Sequence, residues 1–155
     1  MNNHSHKESI GRWISILHRN AFVYFNSQFK QFGIGGAQIR PLLYIFRHPG
    51  VRQDDISKVF SKDKGTVARA IKKLEEVDLV YREKDMVDKR AYNLFPTDKA
   101  LDQHATMTSI LEGWSDILTQ GFTEEEHNQL LGYLKRMADN VNSKQDCHNE
   151  ENCHE

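Results

Sequence analysis

The chain has 155 residues and a formal net charge of −1, with 38% hydrophobic and 28% charged residues. This length and composition fit one folded domain with flanking segments. A chain of this length can bury a single hydrophobic core. No apolar run approaches the roughly 18 residues of a membrane span, and the opening MNNHSHKES lacks the apolar centre of a secretion signal. We therefore expect a cytoplasmic protein that does not enter a membrane.

A long helix is predicted first, because apolar residues recur at three-to-four spacing for over six turns and stop before Gly33. The residues of this stripe are Ile10, Trp13, Ile14, Leu17, Ala21, Phe25, Phe29 and Phe32. Gly33, Gly35 and Gly36 then predict a hinge-like connection. The next helix is expected at about residues 38–47, where Pro41 is tolerable only near the first turn.

Two short helices are predicted between Gln53 and Val77. The first carries Ile56, Val59 and Phe60 on one side. The second follows the segment 61–63, in which either Ser61 or Asp63 is a candidate N-cap. Its core face is predicted to hold Val67, Ala70, Ile71, Leu74 and Val77.

The opposite side of this second helix is small and basic. At about 100° per residue it presents Gly65, Arg69 and Lys72, with Lys64, Thr66 and Ala68 on its flanks. A helix that enters the major groove of DNA needs Lys or Arg for phosphate and guanine, and small residues where the backbone approaches. Because an exposed helical glycine costs ~1 kcal/mol relative to alanine, Gly65 requires either close packing or close approach to DNA.

A charged hairpin is predicted next. Residues 80–84 alternate sides as a strand does, and residues 92–95 are expected to pair with them. The polar tip between them contains Arg90, which we expect to reach an adjacent minor groove. Asp88 repels phosphate, so we expect it to orient Arg90 or a neighbouring basic side chain. A helix pair followed by such a hairpin is typical of a winged helix-turn-helix, which makes duplex DNA the expected partner.

Two more helices are predicted after the hairpin. Thr97 is the candidate cap of the first, and Thr123 with Glu126 forms a capping box for the second. The first is expected to turn Leu101, Ala105, Leu111, Trp114 and Leu118 inward, and the second carries Leu130, Leu134, Met137 and Val141. The small winged module cannot cover the apolar faces at both chain ends. We therefore predict a two-fold homodimer that places two wings and two recognition helices about one helical turn apart on a palindromic site; the alternative is an intramolecular helical subdomain.

The predicted architecture is mainly α with a small β-wing (α+β). Residues 35–96 form the winged helix-turn-helix domain, and residues 8–34 with 97–141 form the helical dimerisation region. The tail 142–155 is expected to be acidic and disordered, since it offers no apolar residue to pack. It also holds four candidate zinc or copper ligands, so a metal or thiol sensor is the alternative. These ligands are Cys147, His148, Cys153 and His154.

Charge is segregated along the chain. Residues 58–90 carry ten basic and seven acidic side chains, a net of +3, and residues 1–57 carry +4. Residues 91–141 carry −5. Basic charge is thus concentrated in the half expected to face DNA, although most exposed Lys and Arg only solvate a surface.

These motifs resemble the MarR family of winged-helix transcription regulators. The matching segments are Asp63–Val67, Leu74-Glu75, Leu79-Val80 with Arg82, and Asp88–Ala91, and the resemblance extends over about residues 8–141. Two positions depart from the family pattern, because Asp78 and Ala100 stand where the family commonly has glycine. The resemblance implies a groove-reading role for Lys64, Thr66, Ala68 and Arg69 and a wing role for Asp88 and Arg90. The full expected DNA-binding set is Lys62, Lys64, Gly65, Thr66, Ala68, Arg69, Lys72, Arg82, Lys84, Asp88, Lys89 and Arg90.

The resemblance also implies a small phenolic or aromatic effector that binds between the dimer helices and the winged module. The candidate lining residues are Trp13, His18, Phe22, Arg40 and Arg47. A structural role is the alternative for a lone His or Arg beside an apolar helix face. No cofactor is expected.

An enzyme is not expected, because the sequence has no nucleophile elbow, His-Glu-x-x-His helix or Gly-rich phosphate loop. We predict a DNA-binding transcription regulator that acts as a repressor. The alternatives are a metal- or thiol-responsive regulator that uses the tail, and a winged-helix protein-protein adaptor without specific DNA binding.

Overall fold

The structure is a computed structural model that describes the backbone of residues 9–151 and the side chains of residues 9–142. Within these residues the chain is mainly helical with one small antiparallel sheet, which confirms the predicted fold class. The helices are α1 (Ile10–Phe29), α2 (Gly36–Arg47), α3 (Gln53–Val59), α4 (Lys64–Glu76), α5 (Asp98–Leu118) and α6 (Glu124–Glu151). The strands are β1 (Val51–Arg52), β2 (Val80–Lys84) and β3 (Tyr92–Pro96).

The residues up to Trp114 form one compact unit, and those from Ser115 onward form a second. Leu42, Ile71 and Leu74 are fully buried in the core of the first unit, where the predicted core face of α4 packs. Phe29 of α1 and Met107 of α5 belong to the same core. The packing thus joins α1 and most of α5 to the winged module, and the dimerisation role of residues 8–34 and 97–141 stays a prediction.

The junction of α1 and α2 is closely packed. Gly33 ends a short 3₁₀ turn in the left-handed conformation (φ 74°), as the sequence predicts. The Gly36 amide donates to Asn26 Oδ1 at 2.8 Å, and a Cβ on Gly36 would stand 3.0 Å from the Phe22 ring. Gly36 therefore permits close approach of α1 and α2, and the expected hinge at this connection stays a prediction. Because α2 begins at Gly36, Pro41 lies in its second turn, further into the helix than we expected.

The sheet contains one strand that the sequence does not predict. β2 and β3 pair antiparallel as expected, with Arg82 opposite Leu94. β1 then adds to the other edge of β3, which places Arg52 opposite Asn93 and gives the order β1-β3-β2. Two residues are too few to show strand alternation, so β1 left no pattern in the sequence.

The face that α5 buries differs from the predicted one. Its cap is the predicted Thr97, whose Oγ1 accepts a hydrogen bond from the Ala100 amide at 3.1 Å. However, Met107 and Ile110 are buried, whereas Leu101 and Leu118 are exposed, and so is Ala105. The apolar positions of α5 are spread around the helix, so spacing alone does not select one face.

The last helix is longer than expected. The predicted capping box is present, since Glu126 N donates to Thr123 Oγ1 at 3.2 Å and Thr123 N donates to Glu126 Oε2 at 2.8 Å. α6 continues to Glu151, past the point at which we expected a disordered tail to begin. Residues 142–151 contain neither glycine nor proline, so no helix-breaking residue interrupts it. The four candidate metal ligands of the tail lie outside the described side chains, and no described helix is long and apolar enough to cross a membrane.

Asp78 adopts the left-handed conformation (φ 59°) at the turn between α4 and β2, where the family pattern has glycine. For a residue with a Cβ this conformation costs about 1 kcal/mol or more, whereas glycine adopts it freely.

We expect Asp78→Gly to unfold in urea with a free energy of unfolding about 1 kcal/mol higher than that of Asp78→Ala. The same pair of substitutions at Asp139, inside α6, should show the opposite order, with alanine the more stable. Equal stability of the two Asp78 variants would contradict the assigned backbone conformation.

Candidate nucleic-acid interface

The start of α4 is held by a capping network. Asp63 is the N-cap, and its Oδ1 accepts a hydrogen bond from the Thr66 amide at 2.8 Å. Thr66 Oγ1 donates to Asp63 Oδ2 at 2.6 Å. These bonds, first from the hydroxyl and then from the amide of Thr66, lower the pKa of the Asp63 carboxyl. Of the two predicted caps, Asp63 therefore fills the role, while Ser61 lies in the preceding turn at φ 48°.

Two of the predicted groove-reading cations are oriented at this helix end. Arg69 donates to Thr66 Oγ1 at 3.0 Å, which links its guanidinium to the Asp63 cap. Lys64 Nζ lies 3.0 Å from Asp54 Oδ2 on α3. Both side chains are exposed, so the contacts restrict their directions while leaving them at the surface.

Gly65 is exposed, which excludes core packing as the reason for a glycine here. A Cβ at this position would stand 3.2 Å from Asp63 Oδ1 and 3.6 Å from the Arg69 guanidinium. A larger side chain at position 65 would therefore crowd the Asp63 cap. This local reason for a glycine adds to the predicted close approach of DNA.

The other predicted residues of α4 and its preceding turn share the same face. Lys62 and Lys72 are exposed, and Ala68 is half-buried between them along the helix. The structure thus brings together, on one surface, the residues predicted to read the major groove. This surface, defined by residues 62, 64–66, 68, 69 and 72, is called the α4 face below.

The Asp85 carboxylate makes several contacts that hold the wing tip, residues 85–91. Asp85 Oδ1 accepts hydrogen bonds from the amides of Val87 and Asp88, each at 2.9 Å. Its other oxygen, Oδ2, accepts from the Arg52 guanidinium at 2.8 Å. Asp85 therefore closes the turn and also fastens it to the residue that precedes α3.

These contacts hold the pKa of the Asp85 carboxyl well below its usual range. The largest cause is the Asp88 amide, followed by the Arg52 guanidinium and the Val87 amide. The same hydrogen bond to Asp85 is the main cause of the raised pKa of Arg52. The wing contacts thus stabilise the charged forms of both Asp85 and Arg52.

Asp88 has a related role. Its Oδ1 accepts from the backbone amide of Arg90 at 3.1 Å, and its Oδ2 lies 3.9 Å from Arg52. Asp88 therefore lies near Arg52 and orients the backbone at Arg90, whereas its orientation of a basic side chain through a hydrogen bond stays a prediction. Lys89 and Arg90 are exposed beside it, so the tip presents two cations to solvent.

The two predicted cations of β2 differ in their surroundings. Arg82 Nε donates to Glu75 Oε1 on α4 at 2.7 Å, and both side chains are about one-third exposed. This ion pair ties the wing strand to α4. Lys84, at the end of β2, is exposed.

A cleft of about 420 Å³ separates the first turn of α3 from the wing. Its lining includes Arg52, Lys58, Arg82 and Arg90, together with acidic residues such as Asp88. Sequence reasoning missed Arg52 and Lys58 as parts of the site. The available signals were a basic residue immediately before α3 and an aspartate at the start of the hairpin tip. The sequence could not predict that these residues pair, because their pairing depends on β1.

A second, smaller cavity of about 280 Å³ lies between α1, α2 and α5 within the first unit. Three of the five predicted effector residues line it, namely His18, Phe22 and Arg40. Trp13 and Arg47 are not among its lining residues, and Trp13 is 55% exposed on α1. The remaining wall is apolar, with Ala21, Phe25, Ile39, Leu43 and Leu111 beside Gly36.

The Asp85 contacts predict a dependence of wing stability on pH. Because the folded pKa lies below the unfolded value of about 3.9, the charged carboxyl stabilises the fold fully above that value. This stabilisation is lost progressively as the pH falls from about 4 towards the folded pKa. Asp85→Asn should therefore unfold more easily than the unaltered chain above pH 5, and the difference should shrink below pH 4.

Urea unfolding at a series of pH values measures this difference. In an Arg52→Gln background, the effect of Asp85→Asn should be smaller, because one of its charged partners is already gone. An effect of Asp85→Asn that stays constant from pH 7 to pH 3 would refute the assigned role of the carboxylate.

Comparison with known proteins identifies the family. Residues 36–92, which include α2, the helix pair and most of the wing, match the model of the MarR family. The chain is 33% identical to a MarR transcriptional regulator from Methanosarcina mazei Go1, whose crystal structure superposes with a TM-score of 0.82. That match covers 86% of this chain and 96% of the other.

Two further relatives agree. The uncharacterized HTH-type transcriptional regulator YybA of Bacillus subtilis (strain 168) is 29% identical over 84% of this chain and 87% of its own length. A MarR family transcriptional regulator of Listeria monocytogenes, crystallised with 26mer DNA, is 28% identical with a TM-score of 0.79 over 88% of this chain and 91% of its own. The family match over residues 36–92 covers the helix pair α3–α4 and most of the wing seen in the structure. The chain belongs to the MarR family of winged-helix transcription regulators and is not an enzyme.

Proposed function

We propose that this regulator binds a palindromic duplex DNA site as a homodimer, represses transcription from it, and releases it when a small aromatic ligand binds. The observation that carries the DNA-binding part is the arrangement of the α4 face and the wing tip. Both surfaces carry exposed lysine and arginine; the α4 face is joined to α3 by the Lys64–Asp54 ion pair, and the wing tip is joined through Asp85 to Arg52 just before α3. The Listeria relative crystallised with DNA supports the same assignment.

The α4 face has the composition that major-groove reading requires. Arg69 and Lys64 lie near the helix N-terminus, where a recognition helix contacts base edges, and Gly65 lets the backbone approach. Lys62 and Lys72 flank them and suit phosphate contacts, which set register and carry no sequence information. Arg90 on the wing is the candidate for the adjacent minor groove.

The DNA-binding proposal predicts a selective and salt-dependent complex. Fluorescence anisotropy should show a selected palindrome bound ~10³-fold or more above random duplex. Arg90→Ala should weaken binding by about 1 to 3 kcal/mol and reduce the salt slope by about one. Arg136→Ala removes the same charge from an exposed position on α6 and should leave both quantities unchanged.

Equal, weak binding to selected and random duplexes would contradict the proposal and favour a protein-protein adaptor. If the unaltered chain binds DNA tightly and Arg90→Ala binds with the same affinity, Arg90 does not contact the DNA. The α4 face would then remain the proposed DNA-binding surface.

Homodimerisation is proposed from an uncovered stripe on α1. Ile10, Trp13, Ile14 and Leu17 follow the spacing of one helix face and are 46 to 64% exposed. A contiguous apolar surface of this kind commonly marks a protein interface. A second copy of the chain is the economical partner, because two-fold symmetry would present two α4 faces to a palindrome.

The dimer proposal is tested by charging this stripe. The double variant Trp13→Glu, Leu17→Glu should sediment as a monomer at concentrations where the unaltered chain is a dimer, because buried unpaired carboxylates oppose association. Val23→Glu is the matched control, since Val23 is 63% exposed on another side of α1. A dimer that survives the double variant would exclude the stripe as the interface.

The smaller cavity supports ligand control. Its volume of about 280 Å³ lies at the low end of small-molecule sites, which limits the ligand to about one aromatic ring. Its wall is mainly apolar with Arg40 and His18 as polar groups, a composition typical of such sites. A ligand that prefers one conformer lowers DNA affinity by its differential binding energy.

A further inference from the structure

Three residues at the start of α4 form a chain of hydrogen bonds. Asp63, Thr66 and Arg69 follow one another at a spacing of three, which places them along one side of the helix. Thr66 Oγ1 donates to Asp63 Oδ2 at 2.6 Å, and Arg69 Nη2 donates to Thr66 Oγ1 at 3.0 Å. The Thr66 hydroxyl therefore lies between the cap of the helix and the guanidinium.

The chemistry of the three groups fixes the direction of both hydrogen bonds. An ionised carboxylate only accepts hydrogen bonds, and a guanidinium only donates them. The Thr66 hydroxyl has a single proton, so it donates to Asp63 and accepts from Arg69. A hydroxyl engaged in this way has no proton left for the acceptor atoms of a base. Thr66 is therefore unsuited to donate to guanine directly, although it belongs to the expected groove-reading residues.

Arg69, by contrast, remains able to contact a base. Its side chain is exposed, and its guanidinium has further N–H donors besides the one that Thr66 accepts. The bond to a residue three positions earlier directs the guanidinium towards the helix N-terminus, the end at which a recognition helix contacts base edges. A Cβ on Gly65 would stand 3.6 Å from Arg69 Nη1, so the guanidinium lies beside the glycine.

We propose that Thr66 is a positioning residue, which holds Arg69 in the direction needed to bind one guanine in each half of the DNA site. Two parallel N–H bonds from an arginine to O6 and N7 of guanine make a strongly base-specific contact. A side chain that is already oriented loses less conformational entropy when it forms them. This inference rests on the proposed function, since its readout is DNA selectivity, and it names the base and the group that orients its reader.

The test removes one acceptor atom from the DNA. 7-Deazaguanine lacks the N7 acceptor and keeps the base pair, so it is placed at one guanine of each half-site at a time in the selected palindrome. By fluorescence anisotropy, we expect the unaltered chain to bind one of these duplexes about tenfold or more weakly than the parent duplex. Arg69→Ala should weaken binding to the parent duplex and reduce this discrimination to within about twofold.

Thr66→Val and Thr66→Ser form the matched pair. Valine keeps the shape of threonine and the amide that donates to Asp63, but it lacks the hydroxyl, whereas serine keeps the hydroxyl. Thr66→Val should lower the discrimination at the same guanine by about three- to tenfold, and Thr66→Ser should keep it within about twofold. Urea unfolding checks that both variants are folded.

A double variant shows whether Thr66 acts through Arg69. In the Arg69→Ala background, Thr66→Val should change DNA affinity by no more than about twofold, because the side chain that it orients is already gone.

The outcomes separate the two proposals. Selective binding by the unaltered chain, with the same guanine discrimination in Thr66→Val, overturns this inference alone. Discrimination that survives in Arg69→Ala, or an equal loss in Thr66→Ser and Thr66→Val, also overturns it. Additive losses in the double variant do so as well, because Thr66 would then contact the DNA itself. No selective binding of any duplex by the unaltered chain overturns the proposed function and this inference together.

Discussion

The wing depends on the contact between Arg52 and Asp85, which joins two residues 33 positions apart in the chain at 2.8 Å. One oxygen of Asp85 accepts this hydrogen bond. The other accepts hydrogen bonds from the amides of Val87 and Asp88 and so helps to fold the tip. One carboxylate therefore contributes both to the fold of the wing tip and to its attachment to the residue before α3. β1 makes this possible, because its pairing with β3 brings Arg52 to the edge of the sheet.

Three other cations, on the α4 face and on β2, are also held by neighbouring side chains. Arg82 is paired with Glu75, Lys64 with Asp54, and Arg69 is linked through Thr66 to Asp63. Each of these three cations thus has a nearby acid that restricts its direction and partly offsets its charge. Because non-specific DNA binding follows net positive charge, we infer that this arrangement limits non-specific binding and favours sites that align with the oriented side chains.

The sequence predicted those features that depend on local pattern. The core face of α4 at Val67, Ile71 and Leu74 follows from helical periodicity, and the caps Thr97 and Thr123 from the chemistry of helix ends. The left-handed Asp78 was expected from a glycine position in the family pattern. Each of these is decided by a few neighbouring residues.

The sequence did not predict the features that depend on distant residues. The Arg52–Asp85 contact requires β1, which is too short to recognise, and the buried face of α5 is chosen by α1 and α2 packing against it. Of the five expected cavity residues, His18, Phe22 and Arg40 line the cavity and Trp13 and Arg47 do not, because a helix face does not reveal which of its turns borders a cavity.

We propose that Arg52, through Asp85, holds the wing where it contacts DNA. Hydroxyl-radical footprinting of the selected palindrome, with the unaltered chain and with Arg52→Gln at saturating protein, tests it most directly. We expect the unaltered chain to protect a central region and minor-groove flanks, and Arg52→Gln to lose the flanks while keeping the centre. Identical footprints from the two proteins would contradict the claim, because the wing would then reach DNA without its attachment to Arg52.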